Sequence, residues 1–242
     1  MRVNATDFQN AFGKYLALVE KDEIIIVKNG KGVARLSHYS DPDHFYVYEE
    51  AKQYKTKRKI SYEEYMALVE SSEQRYELIN GEIYLLASPD FHHQTAIAEI
   101  VGHFYNFFKG KPCRSLTAPF DVRLFGYATK FEENPNVVQP DIVVICDTDK
   151  VDEKRKYWGV PTLVVEVLSP STRNKDLVAK YNLYLSSGVR EYWLVDPENK
   201  QVNHFSFSEN REVLSLTTCK AGESIESTVF PGLVIPIDVI FS

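Results

Sequence analysis

Two short apolar runs, each with one acid set into it, constrain this chain most: Pro140-Asp141-Ile142-Val143-Val144-Ile145 and Leu163-Val164-Val165-Glu166-Val167-Leu168. Both are short, β-branched and bounded by Pro or Ser, so both read as strands. Side chains alternate along a strand, which puts Val164, Glu166 and Leu168 on one face and Val165 and Val167 on the other. Glu166 then has apolar neighbours. A carboxylate in that place must raise its pKa, find a cation or bind a metal, because an unpaired buried charge costs several kcal/mol. A solvated strand end is the ordinary explanation for one such acid. Two on successive apolar strands argue against it.

Composition narrows the class. A hydrophobic share of 44% with 13% aromatics is that of a globular protein, and no apolar run nears the ~20 residues of a membrane helix. The N-terminus has no charged-then-apolar signal pattern, so cytoplasmic residence is the expectation. Cys113, Cys146 and Cys219 are odd in number and far apart in sequence, which suggests neither a disulfide framework nor a structural zinc site. The net charge of −6 is uneven: residues 1–40 carry +2, residues 41–60 carry +1 and the remaining 182 carry −9. An acidic body can still act on DNA where divalent cations neutralise its acids and a basic strip meets the phosphates.

Residues 1–40 have the pattern of a small separate unit. Thr6-Asp7-Phe8-Gln9 fits a capping box with Thr6 as N-cap, opening a helix to about Glu20. Glu23 to Leu36 reads as a hairpin turning at Asn29-Gly30, the pair preferred in a type I′ turn. So small a unit has little core, and dimerisation would supply more. Val3-Asn4-Ala5-Thr6-Asp7-Phe8, Phe12-Gly13-Lys14-Tyr15-Leu16 and Ile25-Ile26-Val27-Lys28-Asn29-Gly30-Lys31 resemble the prevent-host-death (Phd/YefM) antitoxins. The resemblance implies a homodimer that binds operator DNA, with Arg2, Asn4, Thr6 and Lys14 on or near the DNA-facing surface, and a toxin as a further partner. A solvated surface role is the alternative for these residues, and a helix cap for Thr6. The family's toxin-binding tail has no counterpart, since a large folded domain follows.

Residues 41–60 read as a linker holding the basic run Lys52 to Lys59, a solvated strip with phosphate contact as the lesser alternative. From residue 61 the pattern is α/β. Ser61-Tyr62-Glu63-Glu64 opens a short helix, and Asn80-Gly81 turns a hairpin. A helix is expected over Phe91 to Phe108, and strands over Thr117 to Leu124 and Val137 to Ile145. Another helix is expected over Lys175 to Ser187, with Leu177, Tyr181, Tyr184 and Leu185 inward and Gly188 at its C-cap. Glu191 to Pro197 and three weaker strands complete the chain, the last over Val229 to Ile237. His92 and His93 point about 100° apart on their helix, so they cannot readily share one ion, and a satisfied structural role is expected of them.

Glu77, Asp141 and Glu166 lie in or beside strands, and converging carboxylates suit Mg²⁺ or Mn²⁺. The Val167 carbonyl could add a ligand. A cation so held could activate a water for attack on phosphorus, with a nearby lysine to position it. Tyr76-Glu77-Leu78-Ile79-Asn80-Gly81-Glu82, Pro140-Asp141-Ile142, Val164 to Thr172, Asp176 with Lys180, and Gly188 to Pro197 are similar to the Uma-two type of restriction endonucleases, within the PD-(D/E)XK nuclease superfamily. The resemblance implies a restriction-endonuclease-like core with Glu77, Asp141 and Glu166 as metal-binding acids. Leu168 stands where the superfamily pattern puts its lysine, and Lys180 on the following helix is the replacement. Its alternative is an exposed ion pair with Asp176, worth ~0.3–0.5 kcal/mol.

The expectation is an Mg²⁺-dependent DNA endonuclease over residues 61–242, dimerised and directed to DNA by an antitoxin-like domain over residues 1–40. The alternative is a DNA-binding antitoxin or repressor whose nuclease-like domain is inactive.

Overall fold

The structure is a computed structural model that describes residues 1–10, 15, 18–19, 23–28, 30–36, 59–169, 173 and 175–242. Lys14, Asn29, most of the expected linker with its basic run, and Pro170 to Thr172 lie outside these residues. The chain divides into two compact units, Met1–Lys57 and Arg58–Ser242.

In the first unit, β1 (Arg2–Asn4) pairs in parallel with β2 (Ile24–Lys28), which pairs antiparallel with β3 (Lys31–Leu36). The two-residue turn joins Lys28 to Lys31, as the Asn-Gly signal requires, with Gly30 at φ 78°. The strand β1 has no signature in the sequence, and it moves the helix start. Helix α1 (Ala5–Asn10) opens directly after β1, and the Asn4 side chain accepts the Thr6 backbone N–H at 3.0 Å. Asn4, not Thr6, is therefore the capping residue. Val3, Ile24 and Ile26 are buried, while Arg2, Asn4 and Thr6 are exposed.

The second unit begins with α2 (Tyr62–Glu70), whose Ser61–Glu64 capping box is formed on both sides. Strands β4 (Tyr76–Ile79) and β5 (Glu82–Leu85) follow as a hairpin, with Asn80 and Gly81 both at positive φ. Helix α3 spans Phe91–Phe108. The two long strands expected next are each broken at a proline. The first, expected over Thr117 to Leu124, keeps only Thr117 at the end of an earlier strand, β6 (Arg114–Thr117), and β7 (Val122–Leu124) beyond Pro119; the second becomes β8 (Asn136–Val138) and β9 (Ile142–Ile145), separated at Pro140. Proline has no N–H to give a ladder, and at each break the chain changes sheets.

The remaining elements are β10 (Leu163–Val167), α4 (Tyr181–Ser187), β11 (Glu191–Asp196), β12 (Gln201–Phe207), β13 (Val213–Lys220), β14 (Ser224–Glu226), β15 (Val234–Pro236) and α5 (Ile237–Ile240). Strands β10 to β13 complete a mixed six-stranded sheet, β13-β12-β11-β10-β9-β6, beside a four-stranded sheet, β5-β4-β8-β7, while β14 and β15 pair as a two-stranded sheet. The α/β reading holds. The last expected strand, Val229 to Ile237, shrinks to β15, because the chain turns at Phe230 to Leu233 and enters α5 at Ile237.

Strand β10 is buried on both faces. Leu163, Val165 and Val167 pack with Ile100, Phe104 and Phe108 of α3, while Val164 and Leu168 pack with Leu183 and Tyr184 of α4. Glu166 shares the α4 face.

Two further expectations need correction. Cys113 and Cys146 form a disulfide, because Arg114 pairs with Ile145 in the β6–β9 ladder and brings the next residue of each strand together. Their sequence separation of 33 concealed the contact. The expected helix from Lys175 begins instead with a π-helical turn, Lys175–Lys180, and becomes α-helical at Tyr181. The wider winding changes which residues face inward. Asp176 and Lys180 are buried, and Leu177 is exposed. Gly188 ends α4 at φ 93°, as expected.

Candidate active site

The two sheets meet where Pro140 breaks the chain, and Asp141 stands at that break at the entry to β9. Its Oδ2 accepts the Val167 backbone N–H at 2.7 Å, which ties it to β10 one residue beyond Glu166. The Nε2 of His93, from the first turn of α3, lies 3.4 Å from the same oxygen. Burial disfavours the charged form of His93, but the Asp141 carboxylate outweighs it and raises the pKa. His93 also meets the Val167 carbonyl. His92, its exposed neighbour, takes no part in these contacts.

Glu166 is 3% exposed. Its Oε1 accepts Lys180 Nζ at 2.7 Å and the Tyr184 hydroxyl at 2.5 Å. Lys180 and Tyr184 are four residues apart, so the helix presents both to one carboxylate. Lys180 Nζ also lies 2.8 Å from Glu77 Oε1 and 3.8 Å from Asp176 Oδ1. The Asp176–Lys180 pair, the alternative to a catalytic Lys180, thus exists, but it is buried among other acids and not a solvated surface pair.

Glu77, on β4, is fully buried and faces cations. Its Oε2 receives Lys175 Nζ at 2.6 Å, and its Oε1 receives Lys180 and the Gln139 backbone N–H at 2.9 Å. Burial pushes its pKa up, and the two ammonium groups more than reverse this and leave it lowered. Glu166 goes the other way. Burial, with Asp176, Asp141 and Glu77 nearby, overcomes Lys180 and pushes it up to about 8. Lys180, lodged among these carboxylates, is held well above the ordinary lysine value despite its burial.

A cavity of about 370 Å³ opens on this cluster, with Asp141, Glu166, Val167, Lys175, Asp176 and Lys180 in its wall and His93 beside them. Glu77 is not part of the wall. Among the described residues no three His, Cys, Asp or Glu side chains gather closely enough to hold a metal ion. Both Glu77 oxygens are already occupied, by Lys175 and Lys180. What remains is an oxygen set of two carboxylates and the Val167 carbonyl, with Asp141 Oδ1 and Glu166 Oε2 lacking a hydrogen-bond partner among the described residues. Two carboxylates and a carbonyl suit a hard divalent cation.

The match to a known family covers residues 62–238, nearly the whole second unit, and the family is Uma2, described as putative restriction endonucleases. The chain belongs to the Uma2 family. A Synechocystis protein, slr1290, described as uncharacterized, is 26% identical over 184 residues, which cover 76% of this chain and 92% of that protein. A second from the same organism, sll1609, also uncharacterized, is 24% identical over 153 residues, or 62% and 82%. In fold, the second unit is like the crystal structure of a putative nuclease belonging to DUF820 from Anabaena variabilis, with a TM-score of 0.60 and 21% identity, covering 75% of this chain and 97% of that one. That likeness supports the restriction-endonuclease-like architecture. The Uma2 match leaves residues 1–61 outside it.

Sequence reasoning named Glu77, Asp141, Glu166, Val167 and Lys180, and the fold brings all five together. It missed Lys175, Tyr184 and His93 as members of the same cluster, and had Asp176 only as the partner of Lys180. Tyr184 carried a signal, four residues after Lys180 on one helix. Lys175 carried none, because the π turn that aims it is not visible as a period. Arg2, Asn4 and Thr6 are exposed in the first unit. No described helix is long and apolar enough to cross a membrane.

Proposed function

We propose that the second unit is a divalent-cation-dependent nuclease hydrolysing DNA phosphodiesters. One observation carries this: Asp141, Glu166 and Val167 line one cavity, where Lys180 holds Glu166 and buried Glu77 anchors both Lys175 and Lys180. Two carboxylates and a backbone carbonyl suit one hard divalent cation such as Mg²⁺ or Mn²⁺. Asp141, Glu166 and the Val167 carbonyl are the residues to hold it. When bound, the cation supplies Lewis acidity and lowers the pKa of a coordinated water.

The chain's own groups do the positioning. Lys180 fixes Glu166 and is itself fixed by Glu77, so Glu77 serves as an anchor for the lysines. Tyr184 holds the same Glu166 oxygen, Oε1, as Lys180 does. His93 braces Asp141. Hydrolysis forms one P–O bond from water and breaks one P–O bond to the leaving alcohol; the water's proton passes to solvent or to a neighbouring base. Membership of the Uma2 family and the fold of the DUF820 nuclease support this reading. The first unit, by its resemblance to Phd/YefM antitoxins, would dimerise the chain and add DNA contacts through Arg2, Asn4, Thr6 and Lys14. A toxin partner belongs to the same resemblance.

The test is incubation of the full chain with supercoiled and linear DNA plus Mg²⁺ or Mn²⁺, beside Asp141→Ala. Loss of a cation-held carboxylate should reduce cleavage by about a thousandfold, some 4 kcal/mol of transition-state stabilisation. Equal behaviour of the two proteins sinks the nuclease reading and favours an inactive domain in a DNA-binding repressor. Gel shifts of the full chain against a chain starting at Ile60 test the first unit, and unchanged DNA affinity removes its directing role.

A further inference from the structure

Lys175 and Lys180 differ in what surrounds them. Lys180 Nζ has carboxylates at 2.7, 2.8 and 3.8 Å and a side chain 3% exposed, so its three N–H groups are directed into the protein. Lys175 Nζ has one carboxylate, Glu77 Oε2 at 2.6 Å, and lies 5.7 Å from the centre of the Tyr84 ring. Its side chain is 8% exposed and lines the cavity. An ammonium group has three N–H donors. Among the described residues, one of Lys175's is used by a carboxylate.

The π turn produces this difference. On an α-helix, residues five apart are about 140° out of phase and could not both reach one carboxylate. A turn closed by i→i+5 hydrogen bonds stacks them, and so Lys175 and Lys180 meet the two oxygens of Glu77. Glu77 thereby holds both lysines at the cavity wall, Lys180 among three carboxylates and Lys175 with one. An ammonium held by a single buried anion, with donors left over beside an acid-lined cavity, is suited to a second, incoming anion.

We propose that Lys175 contacts a non-bridging phosphate oxygen of the nucleic-acid strand in the cavity, and that Lys180 is the internal counter-charge that keeps Glu166 in place. The assignment rests on the nuclease reading above and divides the work of the lysine missing at Leu168 between two residues. Lys175 is then a substrate-binding residue, and Lys180 a positioning residue.

The experiment uses the full chain, wild type and the Lys175→Gln and Lys175→Arg variants. Affinity for a fluorescein-labelled 30-base-pair duplex is followed across a salt series, with Ca²⁺ replacing Mg²⁺, and cleavage is followed separately with Mg²⁺. Losing one phosphate contact should lower the salt slope, d log K/d log [salt], by about 0.9. It should also lower kcat/KM between about tenfold and a hundredfold, the range for a charge-assisted hydrogen bond. Lys175→Arg should restore the slope, since it keeps the charge. A merely structural Lys175 would move thermal stability and leave the slope unchanged, and equal slopes in wild type and Lys175→Gln overturn the proposal. If Lys175→Gln does not fold, a Lys175→Arg slope different from wild type's overturns it. Wild type that binds with the expected slope difference but cleaves nothing defeats the nuclease reading and leaves the phosphate contact standing.

Discussion

Glu166 and Glu191 stand on neighbouring parallel strands, β10 and β11, both buried, and their pKa values move in opposite directions. Glu191 accepts Trp193 Nε1 at 2.6 Å, Ser227 Oγ at 2.8 Å and the Val229 N–H at 3.1 Å, and has His204 Nε2 at 2.8 Å. Burial raises its pKa, and these partners reverse the effect and leave it lowered. Glu166 has one ammonium and one hydroxyl against three other carboxylates, and burial prevails. Glu191 is a compensated charge that pins the segment around Ser227 to β11. Glu166 is left short of positive charge. Burial does not distinguish a functional acid from a structural one; the balance of its partners does.

The largest effect should come from Glu191. Glu191→Ala would orphan several buried donors and lower unfolding free energy by about 3–5 kcal/mol, measured by urea denaturation. With a lowered folded pKa, Glu191 contributes stability above its unfolded value, and this is lost as pH falls through the folded one. Cleavage per folded molecule should stay unchanged. A Glu191→Ala protein as stable as wild type would break the contrast.

Cation binding tests the other side. Below about pH 8 Glu166 holds a proton that a cation must displace. Mn²⁺ affinity should therefore rise with pH by up to about tenfold per unit and level off above that value. Calorimetry in buffers of different ionisation enthalpy should show up to one proton released per cation. Affinity independent of pH from 6 to 9 would defeat the assignment.

The smallest effect is expected for Glu166→Gln at pH 7, where the neutral amide replaces a largely protonated acid. Stability should change by no more than about 1 kcal/mol. The pH dependence should change more. An acid whose folded pKa is raised makes the wild type lose stability as pH climbs from the unfolded value toward 8, by at most about 1.4 kcal/mol per unit. The glutamine variant lacks that slope. If wild type and variant follow the same curve, Glu166 is not protonated in the folded protein.

Much of the site could be read along the chain. Asp141 and Glu166 declared themselves as acids in apolar strands, and the family resemblance pointed to Lys180 on the following helix for the lysine absent at Leu168. Glu77 was identified as an acid, but its partners were not, because whether a buried carboxylate faces a metal or an ammonium depends on residues nearly a hundred positions away, at Lys175. The Thr6 cap failed because β1, a three-residue strand, has too short a pattern to detect. The disulfide went unread because strand pairing, not sequence distance, brings cysteines together.

Local rules were enough for elements whose signals lie within a few residues. The Ser61 capping box, the Asn80-Gly81 turn, helix α3 and the Gly188 cap all follow from side-chain chemistry and period. The apolar runs around Asp141 and Glu166 required both to be answered by charge or metal. Which charge answers which acid was decided only in three dimensions. The breaks at Pro119 and Pro140 carry the chain between two sheets, and the π turn at Lys175–Lys180 sends two lysines to one glutamate. Electrostatic balance is a property of neighbours in space, and these neighbours come from five separate segments of the chain.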